Sequence, residues 1–205
     1  MPIPKKGVRV LGIAESYTGR HSDHIRSTLA GVVMRRDRVI DGIGFGSASV
    51  GGMDATDGVL DIFHALKRND INYIMLSGCV VSWFNIVNPE KILEETGIPL
   101  ITVTYENSSG LEDDISHHFP EDAERLEAYR RLGTRNEVRL HTGYSVFIRS
   151  WGIGKEDSSL LCNLFTLDGK IPEPIRVARL VARATAENFG IHGSNENNSL
   201  KFYKK

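Results

Sequence analysis

The sequence has little cysteine, no long apolar run and almost no net charge. Its two cysteines, Cys79 and Cys162, are too few for a disulfide framework and lack metal-binding spacing. We expect both to be reduced and buried, as is usual for cytoplasmic proteins. With 25 Lys and Arg against 26 Asp and Glu, the formal net charge is −1. Overall charge therefore does not indicate a nucleic-acid or membrane ligand.

The sequence also lacks membrane and secretion signals. No apolar stretch approaches the roughly 20 residues that cross a bilayer, and residues 1–6 lack the apolar core of a signal peptide. We therefore expect a cytoplasmic protein without a membrane partner. The 205 residues, 40% of them hydrophobic, are enough for one domain with a sizeable core. We expect that domain at 1–190, followed by a flexible, Asn-rich tail at 191–205.

The apolar pattern predicts a mixed α/β fold. Three strands joined by tight links come first, at 8–14, 28–34 and 38–45. Helices then alternate with strands, at 54–68, 73–76, 89–96 and 100–103. Tight links require antiparallel pairing and long crossovers require parallel pairing, so we predict a mixed sheet with helices on both faces. The remaining segments are one or two charged surface helices at 111–132, a strand or buried linker at 140–148, and helices at 156–165 and 171–189.

Glu15 is the first candidate site residue, because it lies at the end of a strand that is otherwise apolar. A carboxylate there must be solvated, paired or bound to a cation. Alternation along the strand predicts that Glu15 projects with Leu11 and Ile13, and Ala14 with the opposite face. The alternative is an ion pair with a nearby arginine.

Asp54 is the second candidate, at the predicted start of a helix. As a helix N-cap, Asp54 would accept hydrogen bonds from first-turn amides, and Asp57 would complete a pair resembling a capping box. A cap does not explain Gly51 and Gly52, which indicate unusual backbone angles or close approach of another group. Carboxylates from a strand end and a helix start are the minimum for a metal-assisted site. We therefore predict that Glu15 and Asp54 meet in one cleft.

The segment 77–88 follows a buried strand, where ligands of open α/β sheets bind. Asn85 and Asn88 offer amide groups, although Asn88 can equally cap the next helix. Trp83 and Phe84 can stack on a base, and packing in the core is the alternative. On the last helix Arg176, Arg179 and Arg183 share one face, which suits phosphates or plain solvation. Paired histidines on polar segments give faint metal signals, at His21 with His24 and at His117 with His118.

Four segments, spread over most of the chain, resemble an archaeal family that is similar to endonuclease V and is associated with an endonuclease acting on deoxyuridine. They are Val10–Ile13, Val50–Thr56, Phe84–Val87 and Ile171–Ala178. The resemblance implies a ribonuclease H-like fold and divalent-metal hydrolysis of a phosphodiester, with a flipped or deaminated base in a pocket. The family pattern has aspartates at positions 14, 15 and 88, where this chain has Ala14, Glu15 and Asn88.

Two hypotheses follow from the resemblance. The first is an endonuclease on DNA with deaminated bases, using Mg²⁺ or Mn²⁺ held by Glu15 and Asp54 and completed by Asn85 or Asn88. Gly51, Gly52, Trp83, Phe84, Asn85 and Arg176 are then its expected substrate-binding residues. The second is a ribonuclease H-like domain without nuclease activity that binds nucleic acid or a protein partner. The sequence does not specify the oligomeric state, for which a homodimer is one candidate.

Overall fold

A seven-stranded mixed sheet with helices on both faces positions the candidate residues. The computed structural model describes residues 7–17 and 26–189. The strands are β1 (Arg9–Ser16), β2 (Arg26–Arg35), β3 (Ile40–Ser49), β4 (Tyr73–Leu76), β5 (Val80–Val81), β6 (Asn85–Ile86), β7 (Leu100–Thr104), β8 (Asn136–Arg139) and β9 (Ser145–Trp151). The helices are α1 (Ala55–Leu66), α2 (Pro89–Thr96), α3 (Glu112–His118), α4 (Ala123–Arg131), α5 (Lys155–Phe165) and α6 (Glu173–Phe189).

The strand order confirms the predicted mixed topology. The sheet runs β3-β2-β1-β4-β7-β9-β8, and β5 pairs with β6 in a separate small hairpin. The consecutive strands β1, β2 and β3 pair antiparallel, whereas β4 and β7, which follow α1 and α2, pair parallel to β1 and to each other. The parallel strands therefore end at the same edge of the sheet, beside the loop after β3.

Three predicted elements differ from the structure. The third strand begins at Ile40, because Arg38 adopts a left-handed turn conformation with φ of 70°. It continues to Ser49, which pairs with Arg26 of β2. Residues 140–148 are a turn followed by the first half of β9. The segment 77–88 contains the β5–β6 hairpin, which the sequence analysis treated as a loop. Short, half-buried strands carry too few residues for a readable alternation.

Each face of the sheet has its own core. Leu11 and Ile13 belong to the core beneath α1 and α2, whereas Val10 and Ala14 belong to the core beneath α5 and α6. Alternation therefore places Glu15 on the α1 face, as predicted. Cys79 and Cys162 are free and buried as expected, and burial raises the pKa of the Cys79 thiol to about 11.

Some predictions concern residues outside the described ranges, namely the segment 1–6, the pair His21 and His24, and the tail at 191–205. Within the described ranges, none of the helices is both long and apolar enough to span a membrane.

Glycines allow helices to lie directly on the sheet. A Cβ on Gly58 of α1 would lie 2.4 Å from the backbone oxygen of Ser47, and a Cβ on Gly46 would lie 2.5 Å from that of Gly58. A Cβ on Gly12 would lie 2.4 Å from backbone and side-chain carbons of Pro174 at the start of α6. The glycines of β3 and β1 therefore allow the backbones of α1 and α6 to lie in direct contact with the sheet.

We predict that Gly58→Ala destabilises the protein. Helix propensity alone would favour alanine by about 1 kcal/mol, but overpacking against a backbone oxygen costs about 1–3 kcal/mol. Urea unfolding of Gly58→Ala should give a lower free energy of unfolding. Gly7→Ala is the control, because a Cβ there meets nothing within 4 Å and Gly7 lies outside the helices. A Gly58→Ala protein that is as stable as the wild type would contradict the close-packing account.

Candidate functional site

Several polar side chains meet at the edge where β1 and β4 end. Glu15 lies at the end of β1, and Ser77, whose amide donates to the carbonyl of Ile13 (3.0 Å), follows β4. The loop after β3, which carries Gly51, Gly52 and Asp54, and the β5–β6 hairpin border this edge. The structure therefore brings together the elements that the sequence analysis expected to form a cleft.

The carboxylate of Asp54 accepts four hydrogen bonds from its own chain. Its Oδ1 accepts from the Ser49 amide (2.8 Å) and from Asn85 Nδ2 (2.7 Å). Its Oδ2 accepts from Ser49 Oγ (2.7 Å) and from Arg26 Nη1 (3.2 Å). Burial raises the pKa of Asp54, but the bonds from Ser49 and Asn85 and the charge of Arg26 outweigh it, so the pKa lies below its ordinary value.

The prediction that Asp54 caps α1 is wrong. Asp54 precedes the helix, but its side chain makes no capping hydrogen bond. The first-turn amide of Ala55 instead donates to Asn85 Oδ1 (3.0 Å), so the cap comes from the β5–β6 hairpin. Asp57 accepts from Lys91 Nζ of α2 (2.8 Å) rather than completing a capping box. Asn85 thus joins Asp54 and the start of α1 through one amide group.

Glu15 belongs to a second hydrogen-bonded group. Its Oε1 accepts from the Ser82 hydroxyl, which also contacts the hydroxyl of Ser27 on β2. The Ser82 carbonyl accepts from the Gly51 amide (2.7 Å), which links this group to the loop that carries Asp54. Glu15 and Asp54 therefore lie in neighbouring groups, and each carboxylate has its own partners.

Glu15 and Asp54, as placed, do not fit a shared divalent cation. The four donors on Asp54 occupy the roughly four lone-pair positions that a carboxylate offers. Arg26 Nη1 is one of these donors, so a cation at Oδ2 would have to displace a positive charge as well as a hydroxyl. Across residues 7–17 and 26–189, no three His, Cys, Asp or Glu side chains form a group suited to a metal.

On the α6 side of the sheet, this strand edge carries the guanidinium group of an arginine. Arg179 of α6 donates to Ser77 Oγ (2.6 Å from Nη2), and its guanidinium lies 4.7 Å from the ring centre of Tyr105. Ala14 projects to this same face. Burial raises the pKa of the Tyr105 phenol to about 12, so it is protonated at neutral pH. The α6 side of the strand edge therefore presents an arginine and hydroxyl groups in place of acids.

Arg176, the arginine predicted to bind substrate, is instead engaged away from Ser77. Its side chain is exposed and bonds to the buried Glu173 (2.9 Å from Nε to Oε2). Glu173 thus accepts from Arg176 within the first turn of α6. Helical spacing correctly put both arginines on one face, but it could not show which of them reaches the strand edge.

Three consecutive residues of the β5–β6 turn adopt left-handed backbone conformations. Ser82, Trp83 and Phe84 have φ values of 45°, 61° and 60°. Each such residue costs about 1–2 kcal/mol when it is not glycine. The strained turn presents Trp83, which is half-buried, against His118 at 4.8 Å and Phe84 at 5.3 Å between ring centres. Backbone strain of this kind is concentrated at functional sites.

Arg125 holds the strained turn and the glycine loop together. It is 4% exposed, and its guanidinium donates to the carbonyls of Gly51 (2.9 Å), Gly52 (2.9 Å) and Phe84 (2.6 Å). Its remaining contacts are Asp122 Oδ2 at 2.9 Å and the Phe119 ring at 4.0 Å. Arg125 lies in the charged segment 111–132, where nothing in the sequence distinguishes it from the solvated arginines beside it.

Asn88 caps the helix that follows it, which was the alternative to a role in the site. Its side chain accepts from the Lys91 amide (3.1 Å) and so caps α2. Asn85 is fully buried between Asp54, Ser49 and the start of α1. Gly51, Gly52 and Asn85 therefore form the frame of the site, whereas Trp83, Glu15 and Arg179 lie at its edge.

We predict that Arg125→Met destabilises the protein by at least about 3 kcal/mol. The change leaves three buried carbonyls without their donor, at about 1–3 kcal/mol each. Arg131→Met makes the same change on the same helix, but the Arg131 side chain is 72% exposed and pairs with the exposed Glu127, so it should cost under about 0.5 kcal/mol. Urea unfolding measures both. Equally small losses would show that Arg125 is not a clamp.

We also predict a pH-dependent contribution from Asp54. Its folded-state pKa is lowered, so the carboxylate stabilises the fold above its ordinary pKa of 3.8, and this stabilisation is lost as the pH falls through the folded pKa. Asp54→Asn should therefore lower the unfolding free energy most at neutral pH, and the difference should close below 3.8. The control is Asp57→Asn. A difference that is constant with pH would contradict the stated role of the charge.

Known proteins resemble this chain over most of its length. The family model described as Endonuclease dU matches residues 6–186. A UPF0215 protein of Pyrobaculum calidifontis is 40% identical over 178 residues, covering 86% of this chain and 96% of that protein.

Two solved structures show the same fold. A protein of unknown function from Archaeoglobus fulgidus superimposes with a TM-score of 0.71 at 24% identity, over 86% of this chain and 97% of that chain. Ciona intestinalis endonuclease V, in complex with a DNA 24mer containing an inosine followed by a ribo-adenosine, gives 0.60 at 15% identity, over 89% and 87%. These neighbours confirm the ribonuclease H-like fold, and with the family match they support a nuclease-like function. The chain belongs to the endonuclease dU family.

Proposed function

We propose that this protein binds nucleic acid carrying a deaminated base at the edge where β1 and β4 end, and that recognition without metal-dependent cutting is its activity. The base would stack on Trp83, and the adjoining phosphate would contact Arg179. Glu15 would border the bound base. We expect this activity in the cytoplasm.

The arrangement of charged groups at this edge is the main observation that supports the proposal. Arg179 and Ser77 offer donors on one face, and the Asp54 carboxylate is already filled by donors that include Arg26. A guanidinium fork suits phosphate, whereas a hydrolytic metal centre needs several anionic oxygens around each cation. The residues at this edge therefore favour holding a nucleic acid over binding a hydrolytic cation.

The nature of the base is suggested by the relatives. The structure of Ciona intestinalis endonuclease V contains DNA with an inosine. The description of the family, Endonuclease dU, refers to deoxyuridine. Hypoxanthine and uracil both arise by deamination, which leaves each of them mismatched with its original partner base, and a mismatched base unstacks at lower cost. The half-buried Trp83 on its strained turn offers a stacking surface for such a base.

The second candidate function is a DNA-repair endonuclease that depends on Mg²⁺ or Mn²⁺ and cuts beside the deaminated base. The family match favours it, together with Glu15, which lies at a central strand end with only one of its oxygens bonded to Ser82. This candidate requires a cation site beyond the Glu15–Asp54 pair as placed. Cutting is therefore the property that separates the two functions.

Binding is tested with fluorescent single strands that contain deoxyuridine or deoxyinosine, against matched unmodified strands. In a Trp151→Phe background Trp83 is the one remaining tryptophan, and we expect its fluorescence to be quenched on binding. Arg179→Met should weaken binding about 10-fold and lower the salt dependence by about one counterion. Arg131→Met is the control and should change neither. Equal affinity for modified and unmodified strands would exclude deaminated-base recognition.

Cutting is tested on the same strands with Mg²⁺ or Mn²⁺. We expect intact strands from the wild type and undiminished binding by Glu15→Gln. Metal-dependent cutting that Glu15→Gln abolishes would establish the endonuclease instead. Cutting that survives Asp54→Ala would further exclude Asp54 as a metal ligand.

A further inference from the structure

A groove beside the end of β7 combines hydrogen-bond donors with positive charge. This β7 groove encloses about 490 Å³ between the segment 107–110, the end of α4 and the surface of β9. Thr104, the last residue of β7, lies at the same edge of the sheet as Ser77 after β4, because the two strands are parallel. The β7 groove therefore adjoins the edge at which we place the nucleic acid.

Arg149 of β9 is the first cation of the β7 groove. It is half-buried, and its Nε donates to the carbonyl of Gly133 (2.8 Å). In the described part of the chain its terminal nitrogens have no hydrogen-bond partner, and it forms no ion pair. A charge that is partly removed from water is stabilised by a paired counter-charge. The guanidinium of Arg149 is therefore available to an anionic ligand.

Arg135 supplies a second positive charge and fixes the wall of the β7 groove. Its terminal nitrogens donate to the hydroxyl of Thr104 (3.2 Å) and to the carbonyls of Glu106 (3.1 Å) and Ser108 (2.7 Å). All three acceptors are neutral groups, so the charge of the guanidinium is not compensated by them. Its carbon also lies 5.3 Å from the ring centre of Phe147. These contacts hold the charge in place before a ligand arrives, which lowers the entropic cost of binding.

Most carboxylates around these two arginines are already paired. Glu106 contacts Lys170 Nζ (2.6 Å), and Glu112 contacts Arg130 Nε (3.0 Å), so each pair is neutral as a whole. Glu137 of β8 also lines the groove, and it is exposed and forms no ion pair with the described residues. One uncompensated carboxylate thus faces two uncompensated guanidinium groups. The β7 groove is therefore positive, although the whole chain carries a formal charge of −1.

The donors of the β7 groove suit the phosphate groups of a nucleic-acid backbone. A guanidinium fork binds phosphate oxygens through paired hydrogen bonds, and the side chains of Asn107, Ser108 and Ser109 line the same groove. Arg179, the phosphate contact of the proposed function, lies against Tyr105, the residue that follows Thr104. A strand that passes Arg179 can therefore continue across the end of β7 into the groove.

We propose that the β7 groove binds the backbone of the same nucleic-acid strand on one side of the deaminated base, with phosphates on Arg149 and Arg135. The inference rests on the proposed function for the identity of its ligand. Phosphate contacts carry no sequence information. The groove therefore adds affinity for every strand long enough to reach it, and it leaves the preference for a deaminated base unchanged.

Strand length tests this proposal. Fluorescent single strands with one deoxyuridine are extended on the 5′ side, on the 3′ side or on neither. We expect an extension on one side alone to tighten binding about 10-fold, and Arg149→Met to lose this gain together with about one released counterion. Arg139→Met is the control, because Arg139 is an exposed arginine of β8 that does not line the groove. Equal gains on both sides, or a gain that survives Arg149→Met, would overturn the proposal.

Glu137→Gln tests the same charge without removing a half-buried group. Glu137 is exposed, so the variant should fold, and loss of its negative charge should tighten binding of the extended strand about 3-fold without affecting the unextended one. Glu156→Gln on α5 is the matched control, because Glu156 is equally an exposed acid but lies outside the groove. An unchanged affinity of Glu137→Gln for the extended strand would contradict the proposal.

The β7 groove and deaminated-base recognition fail separately in these measurements. The length series is repeated with strands that lack a deaminated base, for which the same one-sided gain is expected because backbone contacts do not depend on sequence. Equal affinity for modified and unmodified strands, with the one-sided gain intact, would exclude only the recognition of the base. A preference for modified strands without any gain from length would exclude only the groove.

Discussion

The carboxylate of Asp54 accepts hydrogen bonds from Ser49, Asn85 and Arg26, and the rest of the site depends on this contact. It fixes the end of β3 to the loop before α1, and through Asn85 it fixes both to the β5–β6 hairpin. The Asp54 side chain is 34% exposed, so the carboxylate keeps part of its contact with water while these donors hold it in place. It is also unavailable to a cation unless Arg26 leaves, and this favours recognition over hydrolysis at this edge.

The frame around that carboxylate explains how the chain sustains a strained turn. Arg125 reaches the carbonyls of Gly51, Gly52 and Phe84 from α4, and its burial makes each of these bonds costly to break. The turn is thereby held in a conformation that its own residues disfavour, with Trp83 at the edge of the site. A stacking surface that is fixed before binding loses less conformational entropy when a base arrives.

The alternation of apolar residues and the lengths of the links between strands were enough to predict a mixed parallel and antiparallel sheet and the face on which Glu15 lies. Both follow from local geometry. Asn88 as a helix cap was also readable from its position before a proline. The role of Arg125 could not be predicted from the sequence, since its carbonyl partners lie 41 to 74 residues away in the chain. The left-handed turn at Trp83 was equally hidden, because its sequence contains no glycine to mark positive φ.

Calorimetric titration of Mn²⁺ into the full-length protein, alongside Asp54→Asn and Glu15→Gln, tests the central claim most directly. If the Asp54 carboxylate is occupied by its own chain, the heat of Mn²⁺ binding will be the same for the wild type and both variants. A single tight site in the wild type that disappears in both variants would contradict this account and would establish a cation shared by the two acids.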